Sequence, residues 1–460
     1  MIAEYRFLRF VGLQDLETWD VKRYINQNEY LNRVPFFEVL SKSDVIEKVL
    51  LEVDKKYKIL GVRVYAKGVF ISREAIGSSL ITETTKYYYK AKSNHLFWCK
   101  VDTKNGAFGI TKEEHDGCFA SHNMSFAKIN TNKISVEFLQ LMFQEKRFQE
   151  YLDSFMVGTT NRQYIKFDEL LAIQIPLPPL AVQKTLVEAY TAKTMLAKQK
   201  EEKANELEKS IDEYLITELG IEVQKKEVVE SEYKFLRFVG FEELKEWGVD
   251  KILNRNLIIS NKYKIISLNN NIDLYIDIFR GKSPKYDDNS NQAMVNQKCV
   301  RWNELSLEFA KKVDTKWLSE IKDEFFTKQN DILINSTGEG TIGRATCIDK
   351  IEWLNLLYDS HVLLLRLNQD KVNTLFFTEF FNSFFVQNQI NIIKSAQSTK
   401  QTELGIDNLK KIQLPLPPLS IQNRIATHIG NLKEQIKTLR NEAGRLRTSA
   451  KQEFEGAVFE

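Results

Sequence analysis

Gly338-Glu339-Gly340-Thr341-Ile342-Gly343 carries the G-x-G-x-x-G spacing of a dinucleotide-binding turn. That chemistry needs a strand before the glycines and a helix after them, so that a pyrophosphate meets a helix N-terminus. Asp331-Ile332-Leu333-Ile334-Asn335 reads as the strand, but Arg344-Ala345-Thr346-Cys347-Ile348 reads as a second strand, which makes the motif a hairpin tip. A glycine-rich tip flanked by Asn335, Ser336, Thr337 and Arg344 can instead come close to a DNA backbone; the other reading is an ordinary turn. His95 with Cys99, and His115 with Cys118, are the right side chains for zinc. They lack the Cys-x-x-Cys knuckle, so core or edge residues are expected and no metal site. The chain has no G-x-x-x-x-G-K-[ST], no G-x-S-x-G and no His-Glu-x-x-His. It also lacks the Asn-Pro-Pro-Tyr or Asp-Pro-Pro-Tyr of an amino-methyltransferase, and five histidines leave few general bases. Catalysis has little to hold in these residues.

Basic, aromatic and short polar residues interleave in several places. Lys86-Tyr87-Tyr88-Tyr89-Lys90 is one, and Arg280-Gly281-Lys282-Ser283-Pro284-Lys285-Tyr286 is another. Ser41 to Asn105, which holds Arg63, Lys67 and Arg73, has 13 Lys/Arg against 7 Asp/Glu, an excess of 13 − 7 = 6. Ser121-His122-Asn123 and Thr159-Thr160-Asn161-Arg162 fall on expected loops, with Ser398-Thr399-Lys400-Gln401 as a counterpart later in the chain. Such groups bind phosphates, and Arg, Lys, Asn and Gln can also read base edges. Any one of them alone is an ordinary solvated patch; their recurrence is what points to nucleic acid.

The elements that position these residues come in pairs. Tyr5-Arg6-Phe7-Leu8-Arg9-Phe10-Val11-Gly12 returns as Tyr233-Lys234-Phe235-Leu236-Arg237-Phe238-Val239-Gly240, followed by Trp19 or Trp247. Ile173-Gln174-Ile175-Pro176-Leu177-Pro178-Pro179-Leu180 returns as Ile412-Gln413-Leu414-Pro415-Leu416-Pro417-Pro418-Leu419. The chain is a tandem duplication whose inserts do not resemble each other in sequence. A long helix follows each proline signature. Val182, Leu186, Ala189, Leu196, Ala204, Leu207, Ile211 and Tyr214 mark the apolar stripe of the first, over Ala181 to Leu219. Ile425, Ile429, Leu432, Ile436, Leu439, Ala443, Leu446 and Ala450 mark a cleaner heptad seam in the second, over Ile421 to Ala450. Narrow stripes of matching length predict an antiparallel coiled coil, with packing of each helix on its own domain as the alternative. Each insert reads as strands closed by one helix, Ser135 to Phe155 and Asn373 to Ile393, which gives an α+β class. The expected segments are 1–180, 181–222, 223–419 and 420–460, with the charged stretch Gln224 to Glu232 as linker.

Composition sets outer bounds. Of 460 residues, 43% are hydrophobic, enough for a sizeable core. Formal net charge is only +3, so charge on average does not mark a nucleic-acid binder. No apolar run reaches the ~20 residues that span a bilayer. The first residues lack the pattern of a signal peptide, and four scattered cysteines do not make a disulfide framework, so a cytoplasmic location without membrane contact is expected.

The whole pattern resembles the specificity subunit of Type I restriction–modification systems. The two proline signatures, each followed by Gln183 or Gln422 and a long helix, carry the resemblance most strongly. Gly281 to Tyr286 with Asp331 to Arg344 resembles one variety of target-recognition domain in that family; Leu60-Gly61-Val62-Arg63, Lys67-Gly68-Val69-Phe70 and Asp116 to Ser121 resemble another. The resemblance implies two α/β target-recognition domains separated by two long helices, with a pseudo-two-fold internal duplication. Each domain would read one half of a bipartite, asymmetric sequence in double-stranded DNA. The helices would set the spacing and dock two methyltransferase (modification) subunits, and restriction/translocase subunits would join them. S-adenosylmethionine, ATP and Mg would belong to those partners, with no cofactor on this chain. The alternative is a protein-interaction scaffold that binds no DNA.

Overall fold

The computed structural model describes residues 33–82, 87–100, 106–153, 155, 165, 167–222, 258–393, 395–396 and 402–459. The repeated aromatic lead-ins, with Trp19 and Trp247, and the charged linker lie outside the described residues. The chain divides into two compact units. Residues up to Lys200 join with Asn441 onward in the first; Glu201–Arg440 form the second.

In the first unit, a four-stranded antiparallel sheet runs in the order Leu40–Ser41, Met124–Ile129, His95–Cys99, Phe108–Ile110. In the second, the order is Tyr275–Arg280, Val362–Leu367, Asp331–Asn335, Ala345–Cys347, again antiparallel throughout. Taken along the chain, both orders are first, fourth, second, third. The inserts differ in sequence yet share this framework. What differs is the second sheet laid beside it. The first unit carries a five-stranded sheet, ordered Glu47–Leu50, Tyr87–Lys90, Phe119–Ala120, Lys56–Val62, Val69–Ile76. The second unit has a short three-stranded one, Lys311–Lys312, Ala293–Val295, Leu357–Tyr358.

The proline signatures close each unit. Gln174–Pro176 pairs antiparallel with Arg33–Pro35, and Gln413–Pro415 pairs antiparallel with Ile265–Ser267. Ile173, Ile175, Ile412 and Leu414 are buried, which explains the alternation of apolar residues before the prolines. The prolines then end the strand and lead into a helix, whose first turn begins with Gln183 N–H donating to Pro179 O and Gln422 N–H to Pro418 O.

Each insert closes with two helices where one was expected. Val136–Gln144 stops at Glu145 and Lys146–Asp153 follows; Thr374–Asn382 stops at Ser383 and Phe384–Ile393 follows. Glu145 and Ser383 adopt extended backbone, which breaks the helical hydrogen-bond ladder. The helices start on side-chain caps, with Ser135 accepting from Phe138 N–H and Asn373 from Phe376 N–H.

The long helices are Leu180–Leu219 and Leu419–Phe459, and each contributes residues to both units. Within the first unit they run antiparallel: Lys193 pairs with Glu453, and Lys200 with Glu442 at 2.6 Å. Within the second they are antiparallel too: Glu208 pairs with Arg440 at 2.7 Å, and Glu218 with Arg424. The expected seam of the second helix holds, with Ile425, Ile429, Ile436, Ala443 and Ala450 buried. The first helix corrects the sequence reading over its first half. Val182, Ala189 and Leu196 face solvent, whereas Gln183, Ala197 and Ala204 are buried. Lys193 and Lys200 share the heptad position of Leu186 and Leu207, their stems lying along the seam while the amines reach carboxylates of the other helix. Each unit's core takes in the helix ends it owns. Phe454, Val458 and Phe459 join the first; Leu215, Leu219, Ile425 and Ile429 join the second.

Candidate nucleic-acid interface

The glycine motif is a hairpin tip. Asp331–Asn335 and Ala345–Cys347 pair directly on either side of it, and no helix follows. Gly338, Gly340 and Gly343 all have positive φ (+95°, +81°, +82°), so the turn needs glycine at each. Thr341 Oγ1 donates to Thr337 O at 3.0 Å, and Arg344 Nη2 donates to Gly340 O at 2.7 Å, which closes the tip. Glu339 and Gly340 are exposed at its apex.

Three flanking residues expected to meet DNA lie inside. Asn335, Ser336 and Thr337 are buried. Asn335 Nδ2 donates to the carbonyls of Gln297 and Val300, and Thr337 Oγ1 lies 2.9 Å from His361 Nδ1. They lie at the base of the tip, where Asn335 Oδ1 and Ser336 Oγ are buried without a hydrogen-bond partner among the described residues. Arg344 stays accessible, its guanidinium 5.8 Å from the centre of the Trp302 ring, which is 47% exposed.

The first basic segment of this unit is exposed at Arg280, Ser283, Lys285 and Tyr286. Arg280 is exposed but tied to the fold: Nη1 lies 2.6 Å from Glu403 Oε1 and Nε donates to Ser360 O. Because Glu403 also bridges to Thr337, the Arg280 strand end and the hairpin base lie together. Lys282 Nζ sits 3.6 Å above the Phe325 ring, and Lys311 sits 4.8 Å above Tyr286. These cation–π contacts hold positive charge on aromatic platforms.

In the first unit, Arg63 lies over Phe70 and Lys67 over Tyr65, on the turn that joins Lys56–Val62 to Val69–Ile76. Tyr65 and Ala66 both adopt left-handed backbone there, held by Ala66 N–H donating to Gly106 O at 2.7 Å and by Gln144 Nε2 donating to Ala66 O at 3.1 Å. Arg73 and Lys90 are exposed. Tyr88 is a correction: it is buried, and its hydroxyl donates to Leu80 O at 3.0 Å, because strand alternation turns it inward from its neighbours. Ser121, His122 and Asn123 form a tight turn against Lys100, whose Nζ donates to His122 O and whose N–H donates to Asn123 O. Lys100 and Met124, which adjoin that turn, also line a cleft of about 670 Å³ with Phe37, Lys42, Tyr89 and Phe126, among others. Lys86, Thr159, Thr160, Asn161, Arg162, Ser398, Thr399, Lys400 and Gln401 lie outside the described residues.

The zinc candidates are engaged with protein. His95 is 2.7 Å from Ser43 Oγ and 2.8 Å from Ser93 O, and His115 Nδ1 accepts from Lys112 N–H. Burial holds both imidazoles below their ordinary pKa, so they are neutral packing residues. Among the described residues no group of His, Cys, Asp and Glu could hold a metal ion, and no helix is long and apolar enough to cross a membrane.

Sequence reasoning passed over Arg301, Trp302 and Lys100. Arg301-Trp302 had the same basic–aromatic adjacency used elsewhere, so its signal was available.

Two units, each with a sheet of the same strand order, carry unlike basic and aromatic loops, the arrangement of a two-domain recognition protein. The model of the Type I restriction modification DNA specificity domain matches it twice, over residues 36–209 and 252–444, and the chain belongs to that family. It is a specificity subunit, non-catalytic, which binds DNA and assembles with the other subunits of a restriction–modification system. A comparison with the curated proteins finds no match. Among solved structures, the fold is similar to a chain of the one described as the structural basis underlying complex assembly and conformational transition of the type I R-M system, with TM-score 0.58 and 12% identity, covering 93% of this chain and 97% of that one. Two further similarities are to the HsdS subunit from Thermoanaerobacter tengcongensis (TM-score 0.49, 14% identity, 93% and 96% covered) and to the Type-I restriction-modification system S subunit from M. genitalium (TM-score 0.44, 12% identity, 93% and 96% covered).

Proposed function

We propose that each unit reads one half of a bipartite, asymmetric DNA sequence, and that the two long helices set the gap between the halves. The observation that carries this is the same strand order in both units beneath unlike accessory sheets and loops. A shared scaffold with different loops suits two different half-sites, as loops carry recognition on a rigid support. The contacts in the first unit come from Arg63, Lys67, Arg73, Lys90 and the Ser121–Asn123 turn, and in the second from Lys282, Ser283, Lys285, Tyr286 and Arg344. The partners are two methyltransferase (modification) subunits and the restriction/translocase subunits. S-adenosylmethionine, ATP and Mg act on those chains.

The test is a domain exchange. Replacing Pro35–Leu170 with the corresponding segment of an unrelated specificity subunit, in the assembled methyltransferase, changes the methylated sequence at one half-site only. A change at both half-sites, or at neither, overturns the two-reader assignment. Adding four residues within Leu180–Leu219 lengthens the helix by ~6 Å and alters the tolerated gap; an unchanged gap removes the helices from that role.

A further inference from the structure

Two arginines of the second unit, Arg344 at the end of the hairpin tip and Arg301 on the turn bonded to the strand after it, flank Trp302 in sequence or space, and neither is paired with a carboxylate among the described residues. Arg301 lies 4.9 Å above the Phe309 ring, and Arg344 lies 5.8 Å above the Trp302 ring. Among the described residues neither makes an ion pair, and Arg344 Nε is buried with no hydrogen-bond partner. Arg301 is near enough for its charge to act on Arg344, which burial and Arg301 together hold below the ordinary guanidinium value.

The placement is built by the fold. Arg301 N–H donates to Glu304 O, and Thr346 Oγ1 donates to the carbonyls of Arg301 and Glu304, which ties this turn to the strand that follows the tip. Asn303 takes left-handed backbone (φ +58°), and its N–H donates to Ala345 O. Asn382 clamps both segments. Its Nδ2 donates to Asn303 Oδ1 and Ala345 O, and its Oδ1 accepts from Ala345 N–H. Such a network, holding two like charges together, costs stability unless a negative group joins them.

We infer that Arg301 and Arg344 form a two-guanidinium clamp for one phosphodiester of the DNA backbone, with Trp302 as its exposed aromatic wall. This rests on the reading of the chain as a DNA-binding subunit and deepens it. A phosphate fits better than a guanine edge, because two unpaired cations call for net negative charge and guanine O6 and N7 carry none. Guanidinium forks match phosphate oxygens bidentately, and the exposed glycine apex lets a backbone approach. A clamp of this kind fixes the register of the second unit on the duplex and leaves its base preference to other residues.

The experiment uses the full-length chain in its assembled methyltransferase. The probes are a duplex carrying the sequence that the complex methylates and a duplex of unrelated sequence. R301Q and R344Q each weaken binding to both duplexes by a similar factor. Each also lowers the slope of log K against log salt concentration, and the double variant R301Q/R344Q lowers it by about 0.9 in all, the value for one phosphate, while the methylated sequence stays the same. R344K keeps the slope. R344Q also removes the bond to Gly340 O and can loosen the tip, so R301Q, which leaves every backbone bond of its turn in place, decides where R344Q fails to fold. An unchanged slope for R301Q, or a methylated sequence altered at one half-site, overturns the clamp. A wild-type complex that shows no sequence-selective binding overturns the underlying DNA-reading assignment instead.

Discussion

Gln422 Oε1 accepts the backbone N–H of Asn373 at 2.8 Å, and its Nε2 donates to Lys371 O and Pro417 O. Gln183 does the same in the first unit: Oε1 accepts from Ser135 N–H at 2.8 Å, and Nε2 donates to Lys133 O and Pro178 O. In both places one buried amide satisfies the capping residue of an insert helix, the loop before it and the proline turn that starts the long helix. The Gln three residues beyond Pro-Pro-Leu therefore joins insert to frame. Q422A and Q183A strand those groups, and each lowers the stability of its unit by about 2–3 kcal/mol. Q422E retains the acceptor but sets a second negative oxygen against two carbonyls, and it is at least as destabilising as Q422A at pH 7. Thermal melting of the full chain checks both; a Q422A melting temperature within a degree of wild type removes the joint.

Glu145 sits where the two insert helices of the first unit meet, with its side chain 2% exposed and Lys451 Nζ 3.9 Å away. Burial pushes its carboxyl up to about 7; Lys451 pulls it down and Glu455 pushes it up. Tyr190, whose own pKa is raised by burial and by Glu145, also faces it. The folded value lies above the ordinary 4.5. Between these values the folded chain holds a proton that the unfolded chain has lost, so stability falls as pH rises from 4.5 to about 7 and is flat above. E145Q mimics the protonated form and gains about 1–3 kcal/mol over wild type at pH 8, with no gain at pH 4.5. Melting curves of the two proteins against pH test this; parallel profiles sink it.

Much of the frame is legible in the sequence, and the parts that are not have physical reasons. The proline signatures are strands because their isoleucines and leucines alternate into the core, and the second long helix shows its seam because its inward residues are apolar. The first helix misleads where Lys193 and Lys200 occupy seam positions, since a charged residue reads as surface even when its stem is covered. Leucine at 196 then draws the apparent stripe one step aside. The common strand order of the two inserts is invisible because sheet order depends on pairing partners, while Phe97 and Leu333, both wholly buried on matching strands, need only be apolar. In the candidate interface, Arg344 and the tip glycines are readable from residue type. The burial of Asn335 and Ser336 is not, because a small polar residue before a turn is equally common inside and outside.

The corrected seam makes an opposed pair of substitutions. Leu196 is 44% exposed, and L196A changes stability by less than about 0.5 kcal/mol. Ile436 is 6% exposed within the second unit, and I436A costs about 2–4 kcal/mol. Denaturant unfolding of the two variants tests the assignment; a larger loss for L196A restores the stripe read from sequence.

The hairpin tip separates backbone strain from crowding. Gly340 and Gly343 have nearly equal positive φ, but a Cβ at 340 meets nothing within 4 Å, whereas one at 343 falls 2.6 Å from Ile390 Cδ1 and 2.9 Å from Gln387 Oε1. Gln387 Nε2 also donates to Gly343 O at 3.0 Å, so crowding there disturbs the contact that anchors the tip to the helix Phe384–Ile393. G340A thus carries only the left-handed backbone cost, about 1 kcal/mol. G343A adds the displacement of Ile390 and Gln387, for about 2–3 kcal/mol in all. Affinity of the assembled complex for duplex DNA falls more for G343A than for G340A, because only G343A moves Arg344. Equal losses of stability for the two variants contradict the anchored tip, and full DNA affinity in a folded G343A removes the tip from the interface.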